Sequence, residues 1–202
     1  IATVIATVLG TLCAFALHRY RNRLQKTHYM LVYLPLIVPD ILRGISMLLL
    51  FVLLFAWINP ILRQTTGIRV NLGITTIIIA HITFCLSYVA MVVLGRLQDF
   101  DFSLYEAALD LGANKFQAFF KVVIPAIMPG ILAGALLSFT LSLDDYVITF
   151  FVAGKGSLTL PIYIYGSMKH GNPAVINALS VILLIVTFIT VYIAQKLLED
   201  KK

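Results

Sequence analysis

Residues 99–125 read DFDFSLYEAALDLGANKFQAFFKVVIP, and they separate two long apolar segments of the chain. Ser103 and Glu106 have the spacing of a capping box, in which two side chains bind free backbone amides at the start of a helix. Gly112 suits the left-handed residue that ends such a helix, and Asn114 can cap a second one. The stretch therefore predicts a short helix, a glycine turn and a second helix that leads into the next apolar segment.

The composition around this stretch is that of a membrane protein. Of the 202 residues, 60% are hydrophobic and 12% are charged, whereas typical soluble domains are about a quarter charged. A helix needs about 20 apolar residues to cross the hydrocarbon core. The segments that meet or approach this length are 1–17, 29–57, 72–95, 123–148 and 174–197. We therefore expect an all-α polytopic helical bundle with five spans, in a single transmembrane domain over residues 1–202. Because the chain starts inside an apolar run, we also expect it to be N-terminally truncated.

The segment 29–57 contains residues that membrane spans usually avoid. Pro35 and Pro39 each lack a backbone donor and clash with the preceding turn, so we expect a bend or break there. Asp40 and Arg43 are three residues apart, a spacing at which they can pair on a helix. Ionisable residues inside spans also mark substrate paths. These two residues therefore have either a structural role or a role in the substrate pathway.

Basic residues in the short gaps give the orientation, because they concentrate on the cytoplasmic side of a membrane. Gap 18–28, gap 96–122 and the C-terminal tail hold ten of them. The opposite side has four, which are Arg63, Arg69, Lys155 and Lys169. We predict that residues 99–125 and the C-terminus are cytoplasmic. The net charge of +6 does not indicate a nucleic-acid partner, which would require a basic face on a soluble fold.

The fourth apolar segment has a small residue at every fourth position. The series is Gly130, Gly134, Ser138 and Ser142. Such a face lets two helices approach closely. On a helical wheel Asp145 falls at the centre of this face and Asp144 beside it, so we expect Asp145 to face the central pathway and Asp144 its own chain. At least one aspartate is predicted to contact substrate; the alternative is a pair held by backbone amides or by Lys155.

Two further residues within the spans have the pattern of a ligand pair. His81 and Cys85 share a helix face, but a metal site needs more than two ligands, so we expect buried polar packing there. Cys13 and Cys85 both lie in apolar segments and indicate neither a disulfide nor a metal.

The hairpin stretch resembles a known family signature. Its matching positions are Glu106, Ala107, Ala108, Gly112, Ile124, Pro125 and Pro129. They resemble the EAA motif of type I ABC importer permeases, although Ile124 stands where the family commonly has leucine. In that family the loop forms a coupling helix that docks on the ATPase subunit. The resemblance therefore implies a coupling role for Glu106, Ala107, Ala108, Gly112 and Pro125.

The resemblance extends along the chain and becomes narrower. Residues 81–85, residues 137–145 with the two aspartates, and residues 160–169 are similar to the spermidine/putrescine permeases, above all to their second subunit. This implies polyamine import across a bacterial inner membrane, with a second permease, a cytoplasmic ABC ATPase dimer that carries ATP and magnesium, and an external substrate-binding protein. It also implies that Tyr165 and Lys169 form an outer gate; the alternative is an interfacial aromatic belt.

Other functions fit the sequence less well. The GxxxxGKS or GxxxxGKT phosphate loop is absent, so the chain is not expected to be an enzyme or to bind a cofactor itself. Permeases for iron or thiamine remain alternatives within the class. An ion-coupled secondary transporter should show matched broken helices in inverted repeats, and one Pro-broken segment stands without a match. An intramembrane aspartyl protease needs aspartates from two helices, whereas Asp144 and Asp145 are adjacent.

The predicted orientation can be tested by labelling single cysteines in a background that lacks Cys13 and Cys85. A cysteine at Asn22 or Lys115 should be shielded from an impermeant thiol reagent in intact cells, and one at Gly67 should react. Permeabilised cells, in which all three positions should react, are the control. The reverse pattern in intact cells would contradict the orientation.

Overall fold

The computed structural model of the protein describes residues 1–19, 25–65, 67–169 and 173–199, and all regular structure in these ranges is helical. The helices are α1 (Ala2–Arg19), α2 (Gln25–Ile37), α3 (Asp40–Thr65), α4 (Ile74–Gln98), α5 (Ser103–Asp110), α6 (Lys115–Ala118), α7 (Ile124–Asp144), α8 (Val147–Val152), α9 (Leu160–Lys169) and α10 (Pro173–Glu199), with a π-helical turn at Phe119–Val123. Within the described ranges, four stretches are long and apolar enough to cross a membrane: Asp40–Thr65, Ile74–Gln98, Lys115–Asp144 and Pro173–Tyr192; Ala2–His18 is a shorter apolar helix. The predicted all-α bundle is confirmed.

The predicted break in the segment 29–57 is confirmed at Pro39 but not at Pro35, which lies inside α2. Helix α2 ends at Ile37 and α3 begins at Asp40, so the chain leaves the helix at Val38 and Pro39. Pro39 fits there because its carbonyl accepts the first helical hydrogen bond, from the amide of Arg43 at 3.1 Å, while its missing N–H is not needed.

Helix α4 is the centre of the bundle. It packs against α1 and α7 most extensively, and also against α2 and α8. Gly10 of α1 lies so close to α4 that an added Cβ would be 2.7 Å from Cβ of Val89. Because lipid tails are as apolar as leucine, such close packing holds membrane helices together better than apolar burial does. The most buried large side chains of α4 are Val89, Val93, Leu94 and Leu97.

Helix α7 ends earlier than the sequence pattern suggested. The fourth span was expected over 123–148, but α7 stops at Asp144 and the backbone at Asp145 is extended, with φ −64° and ψ 114°. A separate short helix, α8, begins at Val147. The chain is therefore interrupted next to the two adjacent aspartates.

The start of α5 corrects the predicted capping box. Ser103 is the first residue of the helix, with no side-chain cap at the preceding residue, so Ser103 and Glu106 do not form the box. Instead, the Asp101 carboxylate accepts the backbone N–H of Ser103 at 2.9 Å. The hydrogen bonds from Ser103 hold the pKa of the Asp101 carboxyl below its usual value.

The rest of the hairpin follows the prediction. Gly112 has a φ of +89°, a conformation that residues with a Cβ resist. The Asn114 side chain accepts the backbone N–H of Gln117 at 2.8 Å, and the Gln117 side chain accepts that of Asn114 at 3.0 Å. The π-helical turn then leads into α7, with Pro125 in its first turn, where a proline is tolerated.

Aromatic contacts attach the hairpin to the end of α1. The ring of His18 stacks on that of Phe102 with centroids 4.9 Å apart, and Phe15 contacts Phe119 at 4.8 Å. The hairpin is therefore fixed at both of its ends to the same helix of the bundle.

Candidate functional site

The interruption between α7 and α8 is held by the carboxylate of Asp145. Its Oδ1 accepts the backbone N–H of Ile148 at 3.2 Å, and its Oδ2 accepts the backbone N–H and the hydroxyl of Thr149 at 2.8 and 2.7 Å. Backbone amides at a helix start have no partner within the helix, and the carboxylate supplies one. The side chain of Asp145 is 10% exposed.

His81 connects this interruption to the central helix. Its Nδ1 lies 2.7 Å from Oγ of Ser142, and its Nε2 lies 2.8 Å from Oγ1 of Thr149 and 3.4 Å from Oδ2 of Asp145. Because the Thr149 hydroxyl donates its proton to Asp145, its oxygen accepts from N–H of His81 Nε2. In the neutral imidazole Nδ1 then accepts the hydroxyl proton of Ser142, so every polar group of the cluster has a partner.

This arrangement corrects the expected orientations of the two aspartates. Asp145 was expected to face the pathway and Asp144 its own chain. The structure turns Asp145 inward to backbone amides and to His81, whereas Asp144, the last residue of α7, is exposed. The wheel correctly placed Asp145 on the small-residue face, since Asp145 contacts His81, the partner of Ser142 on that face; the error was to assign this face to the pathway.

The small-residue face of α7 also lies elsewhere than expected. An added Cβ on Gly134 would be 3.4 Å from Cα of Val89, and the carbonyl of Ser138 lies 3.5 Å from the thiol sulfur of Cys85. Together with the contact of Ser142 to His81, these distances show the face packed against α4 of the same chain. It is therefore an internal seam and does not line a pathway. The expected packing role of His81 and Cys85 is confirmed, since both are buried there.

Asp144 lines a cavity of about 290 Å³ that lies beside the break between α2 and α3. The charged residues that line it are Asp40, Arg43, Asp144 and Asp145. Arg43 and Asp40 form the predicted salt bridge, in which the Arg43 side chain is 14% exposed and that of Asp40 is 55% exposed. The cavity thus collects three carboxylates and one guanidinium. Two chain interruptions, each next to an aspartate, meet at this point of the fold.

Aromatic rings complete the cavity wall, and the sequence analysis did not single them out. Phe84, Tyr88 and Tyr146 line it, and the guanidinium carbon of Arg43 lies 5.8 Å from the centre of the Phe84 ring. Tyr146 directly follows the two aspartates, and its place next to them was the signal that could have identified it.

The two residues expected to form an outer gate lie on α9. The exposed ring of Tyr165 packs on Tyr146 with centroids 4.6 Å apart, so it is one residue removed from the cavity. Lys169 is the last residue of α9, and its side chain lies outside the described part of the structure.

The hairpin forms a second candidate site, next to the C-terminal end of α4. Two apolar side chains of the hairpin point away from the bundle: Leu104 of α5 is 54% exposed, and Leu111, just after α5, is 90% exposed. Glu106 and Ala107 are exposed, and Ala108 is half-buried. A helix that presents apolar side chains outside the bundle, beside the acidic Glu106, has the character of a protein-binding surface.

Comparison with known proteins places the chain in a family. Residues 6–202 match the binding-protein-dependent transport system inner membrane component family. The chain is 43% identical over 200 residues to the putrescine transport system permease protein PotI of Escherichia coli K12, covering 96% of this chain and 68% of that protein. It is 38% identical over 200 residues to the spermidine/putrescine transport system permease protein PotC of the same organism, covering 99% and 70%.

The fold agrees with that assignment. A structure of the methionine ABC transporter MetNI in inward-facing conformations superposes with a TM-score of 0.75 over 100% of this chain and 89% of that chain. At 19% identity this similarity shows the fold alone. With four helices able to span a membrane among the described residues, the chain is a multi-pass membrane protein. It belongs to the family of binding-protein-dependent transport system inner membrane components and is a permease subunit of an ABC importer.

Proposed function

We propose that the chain forms, with a second permease subunit, the translocation pathway of a polyamine importer, and that the cavity at Asp40 and Asp144 binds an amine group of the substrate. The observation that carries this proposal is the excess of carboxylates over guanidinium in a cavity of about 290 Å³. Ionisable residues are costly inside a membrane, and those that face a cavity mark a substrate path.

The charges of the cavity suit a cation that must bind and then be released during transport. A carboxylate and an ammonium about 4 Å apart attract by roughly 4 kcal/mol at an effective dielectric near 20, and desolvation of the amine offsets much of this. Arg43 competes for the Asp40 carboxylate. The substrate amine therefore contacts Asp144 and shares the Asp40 carboxylate with Arg43. Because of this competition, its binding is weak and reversible.

The aromatic rings support an organic amine over a metal ion. Tyr88, Tyr146 and Phe84 line the cavity, and aromatic faces attract ammonium groups and cover their alkyl chains. An iron ion would find carboxylates here as well, but a guanidinium in the ligand cluster opposes a compact divalent or trivalent charge. The relatives named for putrescine and spermidine transport favour the same class of substrate.

The partners follow from the class of importer. ATP and magnesium act on a cytoplasmic ABC ATPase dimer, and the α5 hairpin transmits its closure to the bundle through Glu106, Ala107, Ala108, Gly112 and Pro125. An external binding protein delivers the substrate. The bias of basic residues supports a cytoplasmic hairpin and C-terminus. Tyr165 and Lys169 lie on the outer side of the pathway, where Tyr165 covers Tyr146.

Force transmission can be tested at Gly112. Its φ of +89° disfavours a valine by about 1–2 kcal/mol, and no other atom lies within 4 Å of an added Cβ, so the effect is confined to the backbone turn. Gly112→Val should leave membrane insertion intact and remove most substrate-stimulated ATP hydrolysis and uptake. Gly112→Asn is the matched control, since asparagine tolerates this conformation, and it should retain more of both activities.

Glu106→Lys, which reverses an exposed charge on α5, should have the same effect as Gly112→Val. If Glu106→Lys and Gly112→Val both show normal stimulated hydrolysis and uptake, the hairpin is not the coupling element.

Substitutions of Asp144 and of Asp145 should have different effects on transport and assembly. Asp144→Asn removes an exposed charge from the cavity and should raise the half-saturating polyamine concentration about tenfold or more, with normal expression. Asp144→Glu keeps the charge and should transport more nearly like the parent. Asp145→Asn weakens charge-assisted hydrogen bonds that contribute roughly 1.5–3 kcal/mol each, so it should lower the amount of assembled transporter.

The measurements are radiolabelled putrescine uptake at several concentrations and the yield of complex from the membrane. A parent-like Asp144→Asn together with a well-assembled Asp145→Asn that has lost polyamine affinity would reverse the assignment of the two residues.

A further inference from the structure

A second, larger cavity opens at the end of the bundle opposite the α5 hairpin. Its volume is about 1040 Å³, and it lies between the last turns of α3, residues 69–72 before α4, and residues 153–155 after α8. Helices α4 and α7 lie between residues 69–72 and residues 153–155 in the chain, so the cavity is a product of the tertiary fold.

The walls of this cavity are fixed by specific contacts. Asn59 of α3 binds the backbone of Val70 twice: its amide nitrogen donates to the carbonyl at 3.0 Å, and its oxygen accepts the N–H at 2.8 Å. On the other side, Gly154 packs so tightly on Leu72 that an added Cβ would lie 1.7 Å from the Leu72 carbonyl oxygen. Contacts to the backbone therefore fix the shape of the cavity.

The mouth of the cavity is cationic. Arg63, Arg69 and Lys155 line it, all three are exposed, and no carboxylate is among the lining residues. None of the three takes part in a salt bridge within the described part of the chain. They are three of the four basic residues that the sequence has at this end of the spans, and the fold gathers them around one opening.

The floor of the cavity is apolar. Val52, Phe55 and Ala56 of α3 line it below the basic mouth. The eleven steps from Val52 to Arg63 correspond to about 16 Å along the helix axis. The groove thus runs from a cationic end to an apolar end, along a helix that is long and apolar enough to cross a membrane.

We infer that this groove binds an anionic phospholipid, with its phosphate at Arg63, Arg69 and Lys155 and an acyl chain along Val52 and Phe55. By the predicted orientation the mouth faces the outer leaflet, where an anionic headgroup would meet an attraction of about 1 kcal/mol per Lys or Arg. A cationic substrate is repelled by this mouth, so the groove is not an entrance for polyamine. An acidic segment of a partner protein would satisfy the mouth but would leave the apolar floor without a function. The inference does not depend on which solute the importer carries.

The test uses the complete transporter, reconstituted in nanodiscs of equal parts dioleoyl phosphatidylglycerol and dioleoyl phosphatidylcholine. After mild extraction, native mass spectrometry counts the lipids retained on each complex. The parent should retain phosphatidylglycerol in preference to phosphatidylcholine. The variant Arg63→Gln/Arg69→Gln/Lys155→Gln should lose this preference, at about fivefold per charge removed and at least about tenfold in all. The three side chains are exposed, so the variant should still assemble.

Arg63→Lys/Arg69→Lys is the matched control, because it keeps the three charges and should keep most of the preference. Phe55→Ser should weaken retention without changing the charge of the mouth. Equal retention of both lipids by the parent, or an unchanged preference in the triple glutamine variant, overturns the proposal. So does a triple variant that keeps its lipid preference but loses association with the binding protein, since the mouth would then be a protein-docking surface.

Discussion

A helix can be interrupted within a membrane only where other groups bind the backbone amides that it leaves free. In this chain the carboxylate of Asp145 binds the amides of Ile148 and Thr149, and His81 on the central helix fixes Thr149 and Ser142 from the other side. This buried cluster allows α7 to end and α8 to begin in a new direction. The positions of Asp144 and Tyr146 at the cavity depend on it.

The consequence of this constraint is a division of roles between adjacent aspartates. Asp145 is used to satisfy the backbone, and Asp144 is left at the exposed end of α7, where it meets the second interruption, at Pro39 and Asp40. The cavity therefore forms where two broken segments meet. A bundle of uninterrupted helices would place these carboxylates on helix flanks facing lipid or other helices, at a higher cost in free energy.

Much of the architecture could be predicted because it depends on local chemistry. The break at Pro39, the positive φ of Gly112 and the cap at Asn114 each follow from what one residue permits or forbids. The pairing of Asp40 with Arg43 follows from their spacing. These properties belong to a few neighbouring residues, so one sequence was sufficient to identify them.

The predictions about α7 failed for a different, tertiary reason. The helical wheel correctly placed Asp145 on the small-residue face, but that face, and Asp145 with it, contacts His81 of α4. The small-residue face of α7 was assigned to the pathway because a sequence does not show which neighbour fills a close-packing face; here it is α4. The capping box at Ser103 failed for a local reason, because the Asp101 carboxylate accepts the Ser103 amide that Glu106 would have bound.

The central claim is that the cavity at Asp144 and Asp40 holds an amine of the substrate while Asp145 remains bound to the backbone. An electron cryomicroscopy structure of the assembled transporter, trapped with putrescine and a non-hydrolysable ATP analogue, tests it most directly. The ligand amine should lie within about 3 Å of a carboxylate oxygen of Asp144 or Asp40, with the His81–Thr149–Asp145 contacts unchanged. Putrescine bound elsewhere in the pathway, or bound to an Asp145 that has released the amides of α8, would contradict it.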